Sequence, residues 1–151
     1  PAQDASAAGA TATPGAAPAA PAGPAPAPRE LYSQAYADYA RANFDLAIQG
    51  FTEYIRNYPG TDFTDNAQYW IGECYYSQRR FSDAAEAFAR VETSFPASPK
   101  VPAALLKKGL SLAELKRMPE AQAALQRILE KHGQSEEATK ARERLDRWKQ
   151  P

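Results

Sequence analysis

The sequence predicts an all-α fold, a right-handed α-solenoid of three like-built helix pairs closed by a C-terminal capping helix. Three observations predict it: a 37-residue repeat, apolar residues at helical spacing within each repeat, and a last segment with one apolar stripe. The repeat shows in Phe44-Asp45-Leu46-Ala47-Ile48-Gln49-Gly50-Phe51, Phe81-Ser82-Asp83-Ala84-Ala85-Glu86-Ala87-Phe88 and Met118-Pro119-Glu120-Ala121-Gln122-Ala123-Ala124-Leu125. Each has a large apolar residue, Ala three later, and another large apolar residue four after that. Ala47, Ala84 and Ala121 are 37 residues apart, and so are Pro59, Pro96 and Gly133, and Gly72 and Gly109.

Within the first unit, Tyr32, Ala35, Tyr36 and Tyr39 share one helical face, and Phe44, Ala47, Ile48, Phe51 and Ile55 share another. Breaks fall near Ala42-Asn43, Gln78–Arg80 and Lys116-Arg117. The spacing predicts helices over about 30–41 and 44–57, 65–78 and 81–94, and 100–115 and 119–132. Pro119 suits a first helical turn, where its missing N–H is no loss. Ser98 and Thr64 are the expected N-caps, and Gly133 the expected stop beside His132. Two helices approach closely only where side chains are short. Ala47, Ala84 and Ala121, with Ala35, Gly72 and Gly109, are therefore placed at the crossings, and Phe51, Phe88 and Leu125 fill the space beside them.

The last helix, about 136–149, carries Ala138, Ala141, Leu145 and Trp148 on one stripe, with Glu136–Lys140 and Glu143–Arg147 at the supportive i,i+4 spacing. It reads as a cap over the final open apolar face. At the other end, residues 1–28 hold 13 Ala, 7 Pro and 3 Gly and no large apolar side chain. Such a stretch buries too little surface to offset its chain entropy. It is expected to be a disordered linker, a spacer of up to ~85 Å in polyproline geometry. The repeat domain is then residues 29–151, with units at about 29–61, 65–98 and 102–134. The chain opens on Pro1 rather than Met and shows no signal peptide, so a processed product or a fragment is expected.

Composition excludes several functions. Eighteen basic and 18 acidic residues cancel, leaving no basic footprint for nucleic acid. No apolar run reaches the roughly 20 residues of a membrane span, so no direct membrane insertion is expected. One Cys and one His exclude a multi-cysteine zinc site and a His cluster, and no metal or other cofactor is expected. Cys74 reads as a buried, inert thiol. His132, at a helix end, reads as a complement to the helix dipole. No nucleophile–base arrangement supports an enzyme.

The units resemble the tetratricopeptide repeat, with Gly or Ala and Tyr in the first helix, Ala and Phe in the second, and Pro near the end. The usual unit is 34 residues, so the three extra residues are expected in the turns at about 61–64 and 98–101. Residues Asp65-Asn66-Ala67-Gln68-Tyr69-Trp70-Ile71-Gly72-Glu73-Cys74-Tyr75-Tyr76 and Val101-Pro102-Ala103-Ala104-Leu105-Leu106-Lys107-Lys108-Gly109 resemble, more narrowly, the C-terminal domain of the YbgF/CpoB family of Tol–Pal-associated periplasmic proteins. The first unit, with Asp38-Tyr39 and Phe44–Ile48, is similar too. That resemblance implies a periplasmic, non-enzymatic adaptor made with a signal peptide. Its partners would be TolA or other Tol–Pal and peptidoglycan-synthesis proteins, and it would coordinate outer-membrane constriction with septal peptidoglycan synthesis during cell division. The resemblance also implies an N-terminal coiled coil able to form a trimer, a segment absent from this sequence. The alternative is a structural scaffold resembling the repeat-containing subunit of the outer-membrane protein assembly machinery.

In stacked helix pairs the first helices line the concave side. Projection of the repeat places Tyr32, Tyr36 and Tyr39, then Asn66, Tyr69, Glu73 and Tyr76, then Leu106 and Leu110 along a partner-binding groove. Tyr offers a rigid face and a hydroxyl at low entropic cost; the same tyrosines could instead pack between units. Glu73 is placed either against a basic partner residue or against a neighbouring helix. Chaperone-docking members of the repeat family grip a carboxylate with a set of Lys, Asn and Arg, and the matching positions here hold Tyr32, Tyr36, Trp70, Ala103 and Lys107. One basic residue of five makes a poor carboxylate clamp. Lys100, Lys107 and Lys108 form a modest basic patch.

Overall fold

A computed structural model describes residues 27–151. It holds seven helices: α1 (Pro28–Ala40), α2 (Phe44–Asn57), α3 (Thr64–Ser77), α4 (Phe81–Ser94), α5 (Val101–Glu114), α6 (Met118–Lys131) and α7 (Glu136–Trp148). Each packs against its neighbours in the chain, and α5 also meets α3 and α7. The predicted linker lies outside the described residues except at its end. There Pro28 already opens α1, in the first turn where proline is tolerated.

The two helices of each pair are joined by one repeated device. Asn43, Arg80 and Arg117 donate their backbone N–H to the carbonyls of Asp38, Tyr75 and Leu112 at 2.8, 2.9 and 2.9 Å. This bond spans five residues and closes a Schellman turn. Its penultimate residue takes the left-handed conformation: Ala42, Arg79 and Lys116 have φ of 62°, 59° and 62°. Glycine usually fills that position, and a side chain there costs roughly 1–2 kcal/mol. The residue after it is the N-cap of the next helix, so the pair closes in a three-residue turn and its helices must run antiparallel.

A second device joins the pairs. Tyr58, Phe95 and His132 end the second helices in one shared non-helical conformation, with φ of −134°, −134° and −138° and ψ of 67°, 62° and 41°. A hydroxyl follows three residues later in each. Thr61 Oγ1 accepts from the Phe63 N–H at 3.2 Å, Ser98 Oγ from Lys100 at 3.0 Å, and Ser135 Oγ from Ala138 at 3.2 Å. These bonds correct the expected caps. Thr64 lies inside α3 and donates to the Tyr58 carbonyl at 2.6 Å instead of capping its helix. Ser98 acts on the turn before α5 and also donates to Asp65. Gly133 takes no positive φ, so the stop needs none of glycine's freedom.

The crossings follow the small residues. Ala47, Ala84 and Ala121 are fully buried, and so are Phe51, Phe88 and Leu125 beside them. A Cβ at Gly72 would sit 2.5 Å from the Phe88 ring, and one at Gly109 2.7 Å from Leu125 Cδ2. Unit one reverses the arrangement. Its first helix carries Ala35, and the glycine is Gly50 on the second, where a Cβ would fall 2.8 Å from that of Ala35. In α7, Ala138, Ala141 and Leu145 are buried with Trp148 against them, as expected of a cap. Its expected ion pairs do not close: among the described residues the pair formed there is Lys149–Asp146, at 4.0 Å.

Candidate functional site

The predicted groove residues fall into distinct groups. The first is an aromatic patch made by α1 and α3. Tyr36 and Tyr39 stand against Trp70 with ring centroids 5.1 and 4.9 Å away, and Tyr69 flanks it at 5.6 Å. Tyr36 is 44% exposed, which leaves a face of the patch open. Trp70, absent from the predicted set, is the hub of the cluster. The signal was its place between Tyr69 and Ile71, one residue round the helix from a groove position.

Tyr32 belongs to the packing. Its ring contacts Phe51, Tyr54 and Phe63, and its hydroxyl accepts the Trp70 indole N–H at 3.0 Å. It fixes the orientation of Trp70, and with it the patch. Asn66 stands apart from the tyrosines, lining a hollow between the inter-pair turns with Pro59, Asp62 and Pro96.

The next group bridges units two and three. Lys107 Nζ lies 3.3 Å from Glu73 Oε1 and 4.3 Å from the centroid of Tyr76. Of the two partners considered for Glu73, the structure holds the neighbouring helix, α5. Lys100 Nζ sits 4.9 Å over the Tyr69 ring. Both lysines thus rest on tyrosine faces, an electrostatically favourable arrangement.

Burial raises the pKa of Tyr32, Tyr39, Tyr69 and Tyr76 above the ordinary 10.0, and the Glu73 charge adds to it at the last three. Burial, reinforced by Glu73, likewise pushes the Cys74 thiol up to about 12, so it carries no thiolate near neutral pH. The phenols have a consequence for stability. Above pH ~10 the unfolded chain gives up phenolic protons that the folded chain retains, so the unfolded state gains. The melting temperature is expected to hold steady up to about pH 10 and to fall as the pH rises towards the folded-state values. Tyr69→Phe should remove part of that fall; a melting temperature independent of pH to 11.5 (roughly the upper limit of such a scan) would contradict it.

Leu106 and Leu110 form the remaining group, and here the structure adds a wall. They floor a hollow of about 190 Å³ whose other side is Lys140, Glu143, Arg144 and Arg147 of α7. The 37-residue spacing explains the placement. Lys140, Glu143, Arg144 and Arg147 stand 37 residues after Ala103, Leu106, Lys107 and Leu110. α7 occupies the place of the first helix of a fourth unit, and its polar face continues the inner row.

The family described as YfiO, outer membrane lipoprotein, matches residues 24–150. The chain belongs to this family. YfiO membership points to the cell envelope, and among the described residues no helix is long and apolar enough to cross a membrane. Two curated Pseudomonas putida proteins described as cell division coordinator CpoB are 43% identical over 49 residues, a distant homology covering 32% of this chain. The match spans 18% of the length of those relatives. Among solved structures, the tetratricopeptide domain of Arabidopsis OM64 matches with a TM-score of 0.64 and 20% identity, covering 80% of this chain and 95% of that one. The first tetratricopeptide domain of Spaghetti (RPAP3), bound to the HSP90 peptide SRMEEVD, gives 0.61 and 18%, covering 79% and 93%. The N-terminal domain of stress-induced protein-1 from C. elegans gives 0.65 and 16%, covering 77% and 92%. The fold of this YfiO-family chain is therefore the tetratricopeptide fold, a protein–protein interaction architecture, with units of 37 residues.

Proposed function

We propose that this domain is a periplasmic, non-catalytic adaptor that holds a segment of TolA or another envelope protein in its inner groove. In that role it coordinates outer-membrane constriction with septal peptidoglycan synthesis during cell division. The observation that carries the reading is the open aromatic patch of Tyr36, Tyr39 and Trp70 on the first helices. Rigid aromatic faces suit capture of a polypeptide at low entropic cost. The CpoB likeness supports the choice of partner. The second reading, a scaffold subunit of an outer-membrane assembly complex, is favoured by the match to an outer membrane lipoprotein family over residues 24–150. Both readings use the same groove and differ in its occupant.

Titration of the domain with the periplasmic part of TolA, and in parallel with soluble parts of the outer-membrane assembly machinery, separates them. Tyr36→Ala is the clean reporter, since that ring is the more exposed and packs on no buried core residue. It should weaken binding about tenfold or more with little change in melting. Tyr69→Ala removes a ring 5.5 Å from the buried Phe88 and is expected to lower stability as well. Full affinity in folded Tyr36→Ala would reject the groove as the site. Binding to assembly proteins with none to TolA would favour the second reading.

A further inference from the structure

We propose that the hollow between α5 and α7 is an anchoring pocket for an acidic, apolar segment of a partner protein. It would take a leucine-sized side chain on Leu106 and Leu110 and an adjacent Asp or Glu carboxylate on Arg144. The proposal rests on the reading of the inner face as the partner-binding side. Three cations, Lys140, Arg144 and Arg147, stand around the two leucines with one carboxylate, Glu143. Among the described residues none of these four is in an ion pair. An apolar floor under uncompensated positive charge is complementary to an apolar side chain next to a negative one, and a guanidinium binds a carboxylate through two parallel hydrogen bonds. Arg144 is partly buried where Lys140 and Arg147 are exposed, so it is the cation held closest to the floor.

The Leu–acid neighbours among the described residues, Glu30-Leu31, Asp45-Leu46, Glu114-Leu115, Leu129-Glu130 and Leu145-Asp146, lie in or at the ends of the packed helices. Residues 1–26 contain no Leu, Ile, Val or Glu. The occupant is taken to be a segment of a partner protein on the ground of that charge complementarity.

The test is amide chemical-shift mapping of the isotope-labelled chain with three synthetic peptides. One carries Leu-Glu pairs with both ends blocked; the second has Gln for every Glu; the third is the Gln peptide with a free C-terminal carboxylate. The Leu-Glu peptide should move the amides of Leu106, Leu110 and Arg144 and bind about tenfold more tightly than its blocked Gln counterpart. Arg144→Gln should abolish that preference, and an unchanged spectrum elsewhere verifies its fold. Tyr36→Ala should leave these shifts alone, and failure of TolA to bind would not affect them, so the two readings fall separately. Equal affinity for the blocked Leu-Gln peptide would overturn the proposal. So would response to the free carboxylate alone, or movement of the same amides on concentrating the chain by itself.

Discussion

Replacing Ala84 by glutamate is expected to unfold the domain. Ala84 is fully buried, in the central cluster with Phe88, Val91 and Leu105. The new side chain brings bulk and a charge to a helix crossing. Overpacking alone costs about 1–3 kcal/mol, and an unpaired buried carboxylate adds several more. Domains of this size are stable by roughly 5–15 kcal/mol in total. Circular dichroism should show loss of cooperative melting. Glu86→Ala, two residues along on the exposed face, should stay within about 0.5 kcal/mol of the parent. An Ala84→Glu variant that melts like the parent would mean that α4 turns a different face to its neighbours.

The second large effect is a reversal of sign. Phe88→Ala empties a ring that is 1% exposed and should cost about 3–5 kcal/mol. Gly72→Ala in the parent drives a methyl to within 2.5 Å of that ring, and the ring is held on every side. A loss of about 1–3 kcal/mol is expected, larger than the gain of roughly 1 kcal/mol from alanine's helix propensity. With the ring already gone, the three atoms nearest to that methyl are gone too, so the same substitution should stabilise by about the propensity gain. Urea unfolding of the four proteins measures the coupling. Additive effects would show that Gly72 and Phe88 do not meet as described.

Most of the fold was legible because one period governs it. All seven helices end within two residues of their expected limits, since the breaks recur every 37 residues and each is marked by a change of apolar face. The caps were less legible. Thr64 and Ser98 were assigned by residue type, while the backbone places the turn hydroxyls at Thr61, Ser98 and Ser135, again 37 apart. The groove was read only in part, for two reasons. Trp70 shows as a hub only once Tyr32 is seen to hold its indole N–H. The polar face of α7 reads as solvated when its charges are counted along the helix. It shows as one wall of the hollow beside α5 only when its residues are carried back one period onto Leu106 and Leu110.

The exchange between Ala35 and Gly50 bears on how the chain avoids mispairing with itself. Repeats this alike could dock the wrong partners while folding, a recurrent hazard of repetitive sequences. Were α1 to seat on α4, Ala87 would stand where Gly50 does, and two methyl groups would compete for a gap of 2.8 Å. One methylene-sized mismatch thus labels the first hairpin as its own, so the hairpins are not interchangeable modules, and a shuffled order of them would carry a steric fault from its first contact.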